Sequence, residues 1–423
     1  MEEIVNILVV APTFRDRREL AIIHCHSKVK LFFTEEIDAN NIETNIVVWV
    51  ENTIKKFSGC NINHLVATSD LGAFIASIIS QRYGLDVICP EDLYAILNKF
   101  TSRKSQQLSI PECVPDFFEV DLFSQLAPMK FPFFIKPIRA VQSILASKIN
   151  SNYDYLSAIE HARKSMPKLI LNYEPLVVEY LNLDKISLSK MIAESMIEGF
   201  QVTIEGYVQF GKVNIIGVVD SEFYPGSRSF KAFHYPSILP VDIQARMADV
   251  AKTYMGSLNL DDSFFNIEMV FNEKNDSIKV IEINPRMSSQ FSDLIEKVDG
   301  VNSYRILMQL ACGEKVEHSP GFGAFNCASS FVLRCFTDHR VIKLPKESDI
   351  ELIKEQYPEI RVELYGVEGE KLSRQLQDVD SYRYGIIQLG GIDSDDLNRK
   401  IRHVLKYLPF ELEEVNTEKV IEG

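Results

Sequence analysis

Two short segments near residue 270 alternate apolar and polar side chains, as half-buried strands do. They cover residues 264–271 and 279–286, and the polar segment 272–277 between them has the composition of a hairpin turn. Because successive side chains of a strand point to opposite faces, the pattern predicts a hairpin with one apolar and one polar face. The residues expected on the polar face are Asn266, Glu268, Glu282, Asn284 and Arg286, and those opposite include Ile281 and Ile283.

That polar face carries chemistry suited to a magnesium–phosphate site. Mg²⁺ takes hard oxygen ligands and is usually bound by one or two carboxylates together with substrate phosphates. The planar guanidinium of Arg286 fits phosphoryl or carboxylate oxygens. An ordinary half-buried hairpin shows the same alternation, so the spacing alone leaves both interpretations open.

The first 95 residues show a different pattern, in which apolar runs alternate with a helical segment. The apolar runs at 4–10, 46–50 and 64–67 predict strands covered on both faces. Asp70 begins a predicted amphipathic helix to about Arg82, and residues 84–88 are predicted as the next strand. This alternation predicts an open α/β domain, in which ligands bind at the carboxyl ends of strands. Weak candidates at that edge are Thr13, Arg15, Ser69 and Asp70.

Residues 15–18 have a second interpretation, a solvated helix start, which we favour because charged residues are common there. Further along, the patterns predict helices at 91–110, 244–258, 288–313 and 397–408, and strands at 131–137, 202–210, 213–220, 328–335 and 384–389. The strand 131–137 ends near Lys136, and Arg139 and Ser143 follow closely. Two cations and a hydroxyl in this spacing resemble a triphosphate clamp.

Composition narrows the class of protein. The chain has 423 residues, of which 46% are apolar and 25% charged, and its net charge of −14 argues against a nucleic-acid surface. Seven scattered cysteines form no Cys-x-x-Cys pair, which favours reduced thiols and a cytoplasmic location. The acidic start is not typical of a signal peptide, and the apolar stretches are too short to predict a membrane span.

Taken together, these residues resemble the ATP-grasp superfamily and, within it, carboxylate–amine ligases similar to L-amino-acid ligases. The resemblance covers about residues 60–320 and rests on Glu282-Ile-Asn-Pro-Arg286 with Glu268 before it, on Lys136-Pro137 and on Glu198-Gly199. It implies a fold class of α/β and α+β. Its parts would be an N-terminal open α/β (pre-ATP-grasp) domain at 1–110, an ATP-grasp domain at 111–315 with a lid at about 130–198, and a small C-terminal α+β segment at 316–423.

The resemblance also implies roles for individual residues. Lys99 and Lys136 would contact the nucleotide phosphates, and Arg286 would hold the transferring phosphate or the acyl phosphate. The other nucleotide contacts implied or inferred are Arg139, Ser143, Glu194, Met196, Ile197 and the ribose-side Gln201, and the implied Mg²⁺ ligands are Glu268, Glu282 and Asn284. Residues 177–181 form a second candidate for the adenine hinge and rank below Glu194.

Two departures from the family pattern bear on activity. The segment 138–145 lacks the glycines that usually let backbone N–H groups close on phosphates, so Arg139 would replace some of them or the clamp would be weak. Gln201 stands where many relatives carry a glutamate, which keeps a hydrogen-bond acceptor and loses a charge.

The function expected is ATP-dependent ligation of a carboxylate to an amine through an acyl phosphate, with ATP and Mg²⁺ (Mn²⁺ as the alternative ion). The substrates would be small molecules resembling amino acids, with no nucleic-acid or membrane partner, and a homodimer is left open. Arg228, Arg286 and Ser288 would face the substrate, although 227–237 could equally be a loop whose aromatics pack on the sheet. Carboxylation through carboxyphosphate and a non-catalytic ATP-binding protein are the alternatives.

Overall fold

The computed structural model describes residues 4–23, 29–37, 45–85, 88–139, 144–170, 173–182, 189–374 and 381–415. The helices are α1 (Phe14–Ile22), α2 (Ile46–Phe57), α3 (Asp70–Tyr83), α4 (Pro90–Leu97), α5 (Lys99–Ser109), α6 (Asn152–Leu169), α7 (Glu174–Leu181), α8 (Val241–Met255), α9 (Ser292–Asp299), α10 (Ser303–Ala311), α11 (Glu347–Gln356) and α12 (Ser394–Tyr407).

The strands are β1 (Val5–Val9), β2 (Val29–Phe33), β3 (His64–Val66), β4 (Phe117–Asp121), β5 (Phe133–Pro137), β6 (Ser147–Ile149), β7 (Lys190–Ser195), β8 (Phe200–Gln209), β9 (Lys212–Phe223), β10 (Phe230–Tyr235), β11 (Ser263–Asn272), β12 (Ser277–Asn284), β13 (Cys327–Cys335), β14 (His339–Lys343), β15 (Arg361–Leu364), β16 (Tyr382–Gly391) and β17 (Glu411–Glu414). The chain forms two compact units: Met1–Val219, Ser237–Ser292 and Val301–Ser319 make the first, and Asp220–Pro236, Asp293–Gly300 and Pro320–Gly423 make the second.

The first unit begins with a small parallel sheet in the order β2-β1-β3. β1, β3 and α3 confirm three of the predicted elements. Ser69 begins α3 because its side chain accepts the N–H of Gly72, and Gly84 ends it in the left-handed conformation. The strand predicted at 84–88 includes residues 86–87, which lie outside the described residues.

The strand predicted at 46–50 is wrong, because these residues begin α2. The Asn45 side chain caps the helix by accepting the N–H of Val48. The buried residues of α2 recur every three or four positions along one face (Ile46, Val50, Thr53 and Phe57). A run of five apolar residues cannot distinguish a strand from a buried helix turn, and the cap together with this longer period decides for helix.

Two antiparallel sheets of the first unit carry the residues of interest. One has the order β4-β7-β5-β6, and the other runs β12-β11-β8-β9. α8 packs against β8 and β11, where Met247, Ala251 and Tyr254 are fully buried. The predicted strands at 131–137 and 202–210 and the helix at 244–258 are confirmed within a few residues.

Two helices predicted as continuous are each divided. The segment 91–110 breaks at Asn98, which ends α4 and caps α5. The segment 288–313 contains α9 and α10, and Asn302 caps the second of them. In both cases an asparagine side chain satisfies the free N–H groups of a new helix, so the chain can change direction there.

The second unit contains the end of β9 and strands β10, β13, β16 and β15 as antiparallel neighbours. Its apolar core includes Phe331, Ile387 and Leu389 with Ile401 and Val404 of α12. The aromatic segment Phe230–Tyr235 is strand β10 and not a loop. Among the described helices of the whole chain, none is long and apolar enough to cross a bilayer.

Candidate nucleotide and metal site

The predicted hairpin is present and in the register that brings its polar residues together. Glu268 of β11 lies directly opposite Glu282 of β12, and Asn266 lies opposite Asn284. The Asn284 side-chain amide donates to the side-chain oxygen Oδ1 of Asn266 at 2.9 Å. Directly opposed like charges destabilise a strand pair unless another charge lies between or beside them. The carboxylate pair is therefore a local cost that a cation would relieve.

A β-bulge interrupts the hairpin at Ile281. The register shifts between Glu268 and Met269, so that Met269 pairs with Val280 and Ile281 stands as the extra residue. Val280 is then the fully buried side chain at this point. The carbonyl of a bulged residue is available to other partners, and that of Ile281 accepts hydrogen bonds from Arg103 at 2.8 Å and from Lys136 at 3.4 Å.

Lys99 reaches the carboxylate pair from helix α5. Its Nζ lies 2.8 Å from Oε1 of Glu282. The residue before it, Asn98, accepts the N–H groups of Phe100 and Thr101 and so fixes the start of the helix. Lys99 is thus placed beside the metal-ligand candidates, where the resemblance placed a phosphate-binding lysine.

Lys136 belongs to a buried group of three charges that we call the hinge cluster: Arg103, Lys136 and Glu194. Glu194 of β7 accepts from Arg103 at 2.7 Å and from Lys136 at 2.8 Å, one cation at each oxygen. Burial alone would raise the pKa of Glu194, but the two cations outweigh it and lower the pKa to about 2. The carboxylate is therefore fixed as an anion.

Two features of the hinge cluster were not expected from the sequence. The Glu194 carboxylate pairs with two cations, and a contact of Glu194 with an adenine edge stays a prediction. Arg103 was missed; it is 2% exposed and also donates to Gln106 at 2.5 Å. Its position four residues after Lys99 on an amphipathic helix was the available signal.

Glu268 is the carboxylate that β11 contributes to the hairpin. Burial, followed by the charge of Glu282, raises the pKa of Glu268 well above its usual range. Gln201, the residue expected near a ribose, donates its side-chain N–H to Glu268 at 3.0 Å. An ionised glutamate at position 201 could not donate this hydrogen bond, because two ionised carboxylates repel each other.

Arg286 lies at the end of the hairpin and is held by a residue of the N-terminal sheet region. Its Nε is 2.7 Å from Oδ1 of Asp70, which is 4% exposed at the start of α3. Arg139 lies 3.8 Å from the other Asp70 oxygen, and its guanidinium stacks 4.0 Å above the ring of Tyr173. Burial would raise the pKa of Asp70, and Arg286 and Arg139 reverse this so that it is lowered. The weak candidate Asp70 therefore belongs to the site.

The remaining predicted residues divide into three groups. Met196 and Ile197 follow β7 as a partly buried segment before β8, whereas the rival hinge at 177–181 is the helical end of α7. Ser143 lies outside the described residues. Arg228 belongs to the second unit, and its contact with the substrate stays a prediction.

The favoured solvated helix start at residues 15–18 is wrong for two of its residues. Arg15 is 9% exposed and donates to the Ser289 hydroxyl at 2.9 Å, and Asp16 is 1% exposed. Thr13 and Asp16 form a capping box that begins α1. Tyr304 and Thr68 both donate to Asp16, so its charge is satisfied inside the protein and is not solvated.

The donor set fits one or two divalent cations bound together with phosphates. In the described part of the chain no three His, Cys, Asp or Glu residues are grouped to hold a metal ion by themselves. Mg²⁺ does not require this, since it keeps few protein ligands when phosphates complete its shell. The opposed pair Glu268 and Glu282, with the amide of Asn284 on the next row, supplies that smaller set.

Comparison with known families and structures agrees with this geometry. The family model of the ATP-grasp domain matches residues 129–293, and no curated protein matches the chain. L-amino acid ligase from Bacillus licheniformis superposes with a TM-score of 0.71 at 14% identity, covering 97% of this chain and 99% of that one. The resemblance to the ATP-grasp superfamily and the predicted fold class are thus confirmed.

Two further solved structures share the fold. Phosphoribosylglycinamide synthetase from Anaerococcus prevotii has a TM-score of 0.63 at 15% identity and covers 97% of this chain and 100% of its own. The biotin carboxylase domain of the Hydrogenobacter thermophilus 2-oxoglutarate carboxylase, solved with MgADP, ADP and bicarbonate, has a TM-score of 0.66 at 12% identity and covers 98% and 92%. At sequence identities this low, the similarity of these structures to the chain shows a common fold and nothing more.

Proposed function

We propose that this ATP-grasp chain is an ATP-dependent carboxylate–amine ligase that forms an amide or peptide bond through an acyl phosphate. The observation that carries the proposal is the opposed pair Glu268 and Glu282, with Lys99 2.8 Å from Glu282 and Arg286 two residues after the strand that carries Glu282. An anionic pair edged by cations suits a metal-bound polyphosphate whose charge shifts during transfer. The similarity to L-amino acid ligase supports amino-acid-like substrates.

The residues of the chain divide the work of phosphoryl transfer. Lys99 and Lys136 would bind the phosphates and hold them in line with the attacking carboxylate. Bound Mg²⁺, held by Glu268, Glu282 and Asn284, would screen the phosphate charges. Arg286, oriented by Asp70, would bind the phosphoryl group as it moves and then the acyl phosphate. This chemistry depends on positioning and charge more than on covalent help from the protein.

Gln201, Met196 and Ile197 would meet the nucleoside. The partly buried residues Met196 and Ile197 lie between β7 and β8 in the chain and would offer backbone groups and apolar side chains to a flat ring. Arg139 and Ser143 would add to the phosphate side and Ser288 to the substrate side, and the role of Arg228 stays a prediction from the sequence. The three-part domain division at 110 and 315, with its lid, remains part of the same proposal.

A panel screen tests this function. Purified protein is incubated with MgATP and single or paired amino acids and small carboxylates, and ADP release is measured together with product masses. Amide products that appear with ADP would support the ligase. A separate arm with bicarbonate tests carboxylation. Nucleotide binding without ADP release across the whole panel would contradict an enzyme of either kind.

A further inference from the structure

One buried carboxylate beside the hairpin has no role in the function proposed so far. Glu205 of β8 lies opposite Asn266 of β11, which in turn lies opposite Asn284 of β12. On this face of the sheet, the cross-strand row formed by Glu205, Asn266 and Asn284 is therefore next to the row of Glu268 and Glu282, on the side towards Arg286. The Glu205 residue is 0% exposed.

The two oxygens of Glu205 have different surroundings. Oε1 accepts the backbone N–H of Ser288 at 2.7 Å, which fixes the orientation of the carboxyl group. Oε2 is buried and has no hydrogen-bond partner among the described residues. A buried carboxyl oxygen without a partner costs free energy, and such groups in folded proteins are usually satisfied by a ligand or by ordered water.

Glu205 differs from the structural glutamates of this chain. Glu194 has a cation at each oxygen, and Glu363 in the second unit, 2% exposed, accepts from the Tyr365 hydroxyl at 3.0 Å. Burial raises the pKa of Glu205 to about 8, and the Ser288 N–H and the charge of Arg286 offset only part of that rise. A group that titrates near neutral pH is suited to exchanging a proton with a ligand.

We propose that the free oxygen of Glu205 receives the amino group of the second substrate and accepts a proton from it. The inference rests on the proposed ligase function, which otherwise lacks a group to deprotonate the amine. Arg286 would hold the acyl phosphate, and Ser288, two residues further on, orients the Glu205 carboxylate. The amine would thus be bound next to the carbon that it attacks.

The step balances as follows. The ammonium form of the amine gives one proton to Glu205 and becomes a neutral nucleophile. Its nitrogen bonds to the carbonyl carbon of the acyl phosphate, the bond from that carbon to the phosphate oxygen breaks, and phosphate leaves with the bond electrons. The second nitrogen proton goes to the departing phosphate, and Glu205 later releases its proton to solvent.

Glu205→Gln separates this role from formation of the acyl phosphate. Hydroxylamine is largely uncharged at neutral pH and attacks acyl phosphates without a base, so hydroxamate formation reports the intermediate alone. We expect Glu205→Gln to form hydroxamate at the wild-type rate and to lose amide formation with amino-acid acceptors by 10²–10⁴-fold, on the order expected for a general base. Glu205→Asp, which keeps a carboxylate, should recover part of the amide formation.

The matched control is Glu363→Gln, which changes a buried glutamate of the second unit and should alter neither reaction. If folded Glu205→Gln loses hydroxamate and amide formation equally, the proposal is overturned and Glu205 has a structural role. If amide formation is unchanged, the proposal is also overturned and the Glu205 carboxyl only binds buried water. If Glu205→Gln does not fold, the folded Glu205→Asp protein decides by the ratio of the two products. No hydroxamate from the wild type with any carboxylate would instead remove the ligase function itself.

Discussion

Two groups of charged side chains in the first unit differ in how their carboxylates are compensated. In the hinge cluster, Glu194 lies between Arg103 and Lys136, and cations outnumber the anion. In what we call the hairpin cluster, defined as Glu205, Glu268 and Glu282, three carboxylates lie on neighbouring strands. The pKa of Glu194 is lowered to about 2, whereas that of Glu205 is raised to about 8.

The difference separates Glu194, whose charge is compensated by the protein, from Glu205 and Glu268, whose burial is not compensated in this way. Each oxygen of Glu194 has a cation within 2.8 Å, so nothing further is needed to stabilise it. Among the described residues, Glu268 has only the neutral Gln201 side chain within hydrogen-bond distance, and it faces Glu282. The charges of Lys99 and Arg286 do not cancel the cost of its burial. Removing a charge from the hinge cluster should therefore lower the stability of the fold, whereas removing one from the hairpin cluster should impair ligand binding or turnover.

Glu194→Gln should have the largest effect on stability. It leaves Arg103 and Lys136 buried without an anion, and breaking a buried pair in this way costs about 3–5 kcal/mol. Urea unfolding measures the change. The control is Glu119→Gln, whose pair with Lys190 is partly exposed and should be worth about 1 kcal/mol or less. Similar losses in both variants would contradict the distinction between the clusters.

The pH dependence of stability tests the same cluster without removing a partner. The folded pKa of Glu194, about 2, lies below the ordinary value of 4.5, so its stabilisation is present above pH 4.5 and is lost as the pH falls towards 2. The difference in unfolding free energy between wild type and Glu194→Gln should therefore shrink as the pH is lowered from 5 to about 3. A constant difference over this range would mean that Glu194 is not held as an anion.

Arg286→Ala should lower turnover by about 10²–10³-fold, the usual cost of removing one group that stabilises the charge of a transition state. It should change nucleotide affinity much less, because the lysines bind the phosphates. Arg286→Lys keeps the charge and loses the planar fork, so it should recover only part of the rate. ADP release under saturating MgATP measures both variants. Full turnover in Arg286→Ala would exclude the role given to this residue.

The sequence predicted the hairpin and its polar residues because a period of two over eight residues is a strong signal. It did not predict that Ile281 lacks a partner in β11, because a bulge inserts one residue without a mark in the local pattern. Arg103 and Glu205 were missed for another reason. A charged residue on a helix or strand is usually exposed, and only tertiary packing shows that both are buried here.

The N-terminal region shows where short-range patterns fail. Residues 46–50 have the composition of a strand and form the first turns of α2. Asp70 was a weak candidate because its partner, Arg286, lies more than 200 positions away in the chain. Contacts of such separation follow from the fold and cannot be read from spacing.

Glu282→Gln should weaken Mg²⁺-dependent nucleotide binding by tenfold or more, which corresponds to about 1.4 kcal/mol. The change removes a metal ligand and the partner of Lys99. Titration of nucleotide with and without Mg²⁺ measures the metal-dependent part. Glu273→Gln, an exposed change in the turn of the same hairpin, is the control. Equal binding by wild type and Glu282→Gln in Mg²⁺ would remove the metal assignment.

Asn98→Ala should have the smallest effect and should act on both clusters, because α5 supplies one cation to each. Lys99 reaches Glu282 and Arg103 reaches Glu194 from successive turns of this helix, and the Asn98 side chain fixes where the helix begins. Loss of such a cap costs about 1 kcal/mol. Asn45→Ala removes the equivalent cap of α2 and should cost about the same. Nucleotide binding distinguishes them. It should weaken in Asn98→Ala and stay unchanged in Asn45→Ala, since α5, unlike α2, carries cations that pair with a carboxylate of each cluster.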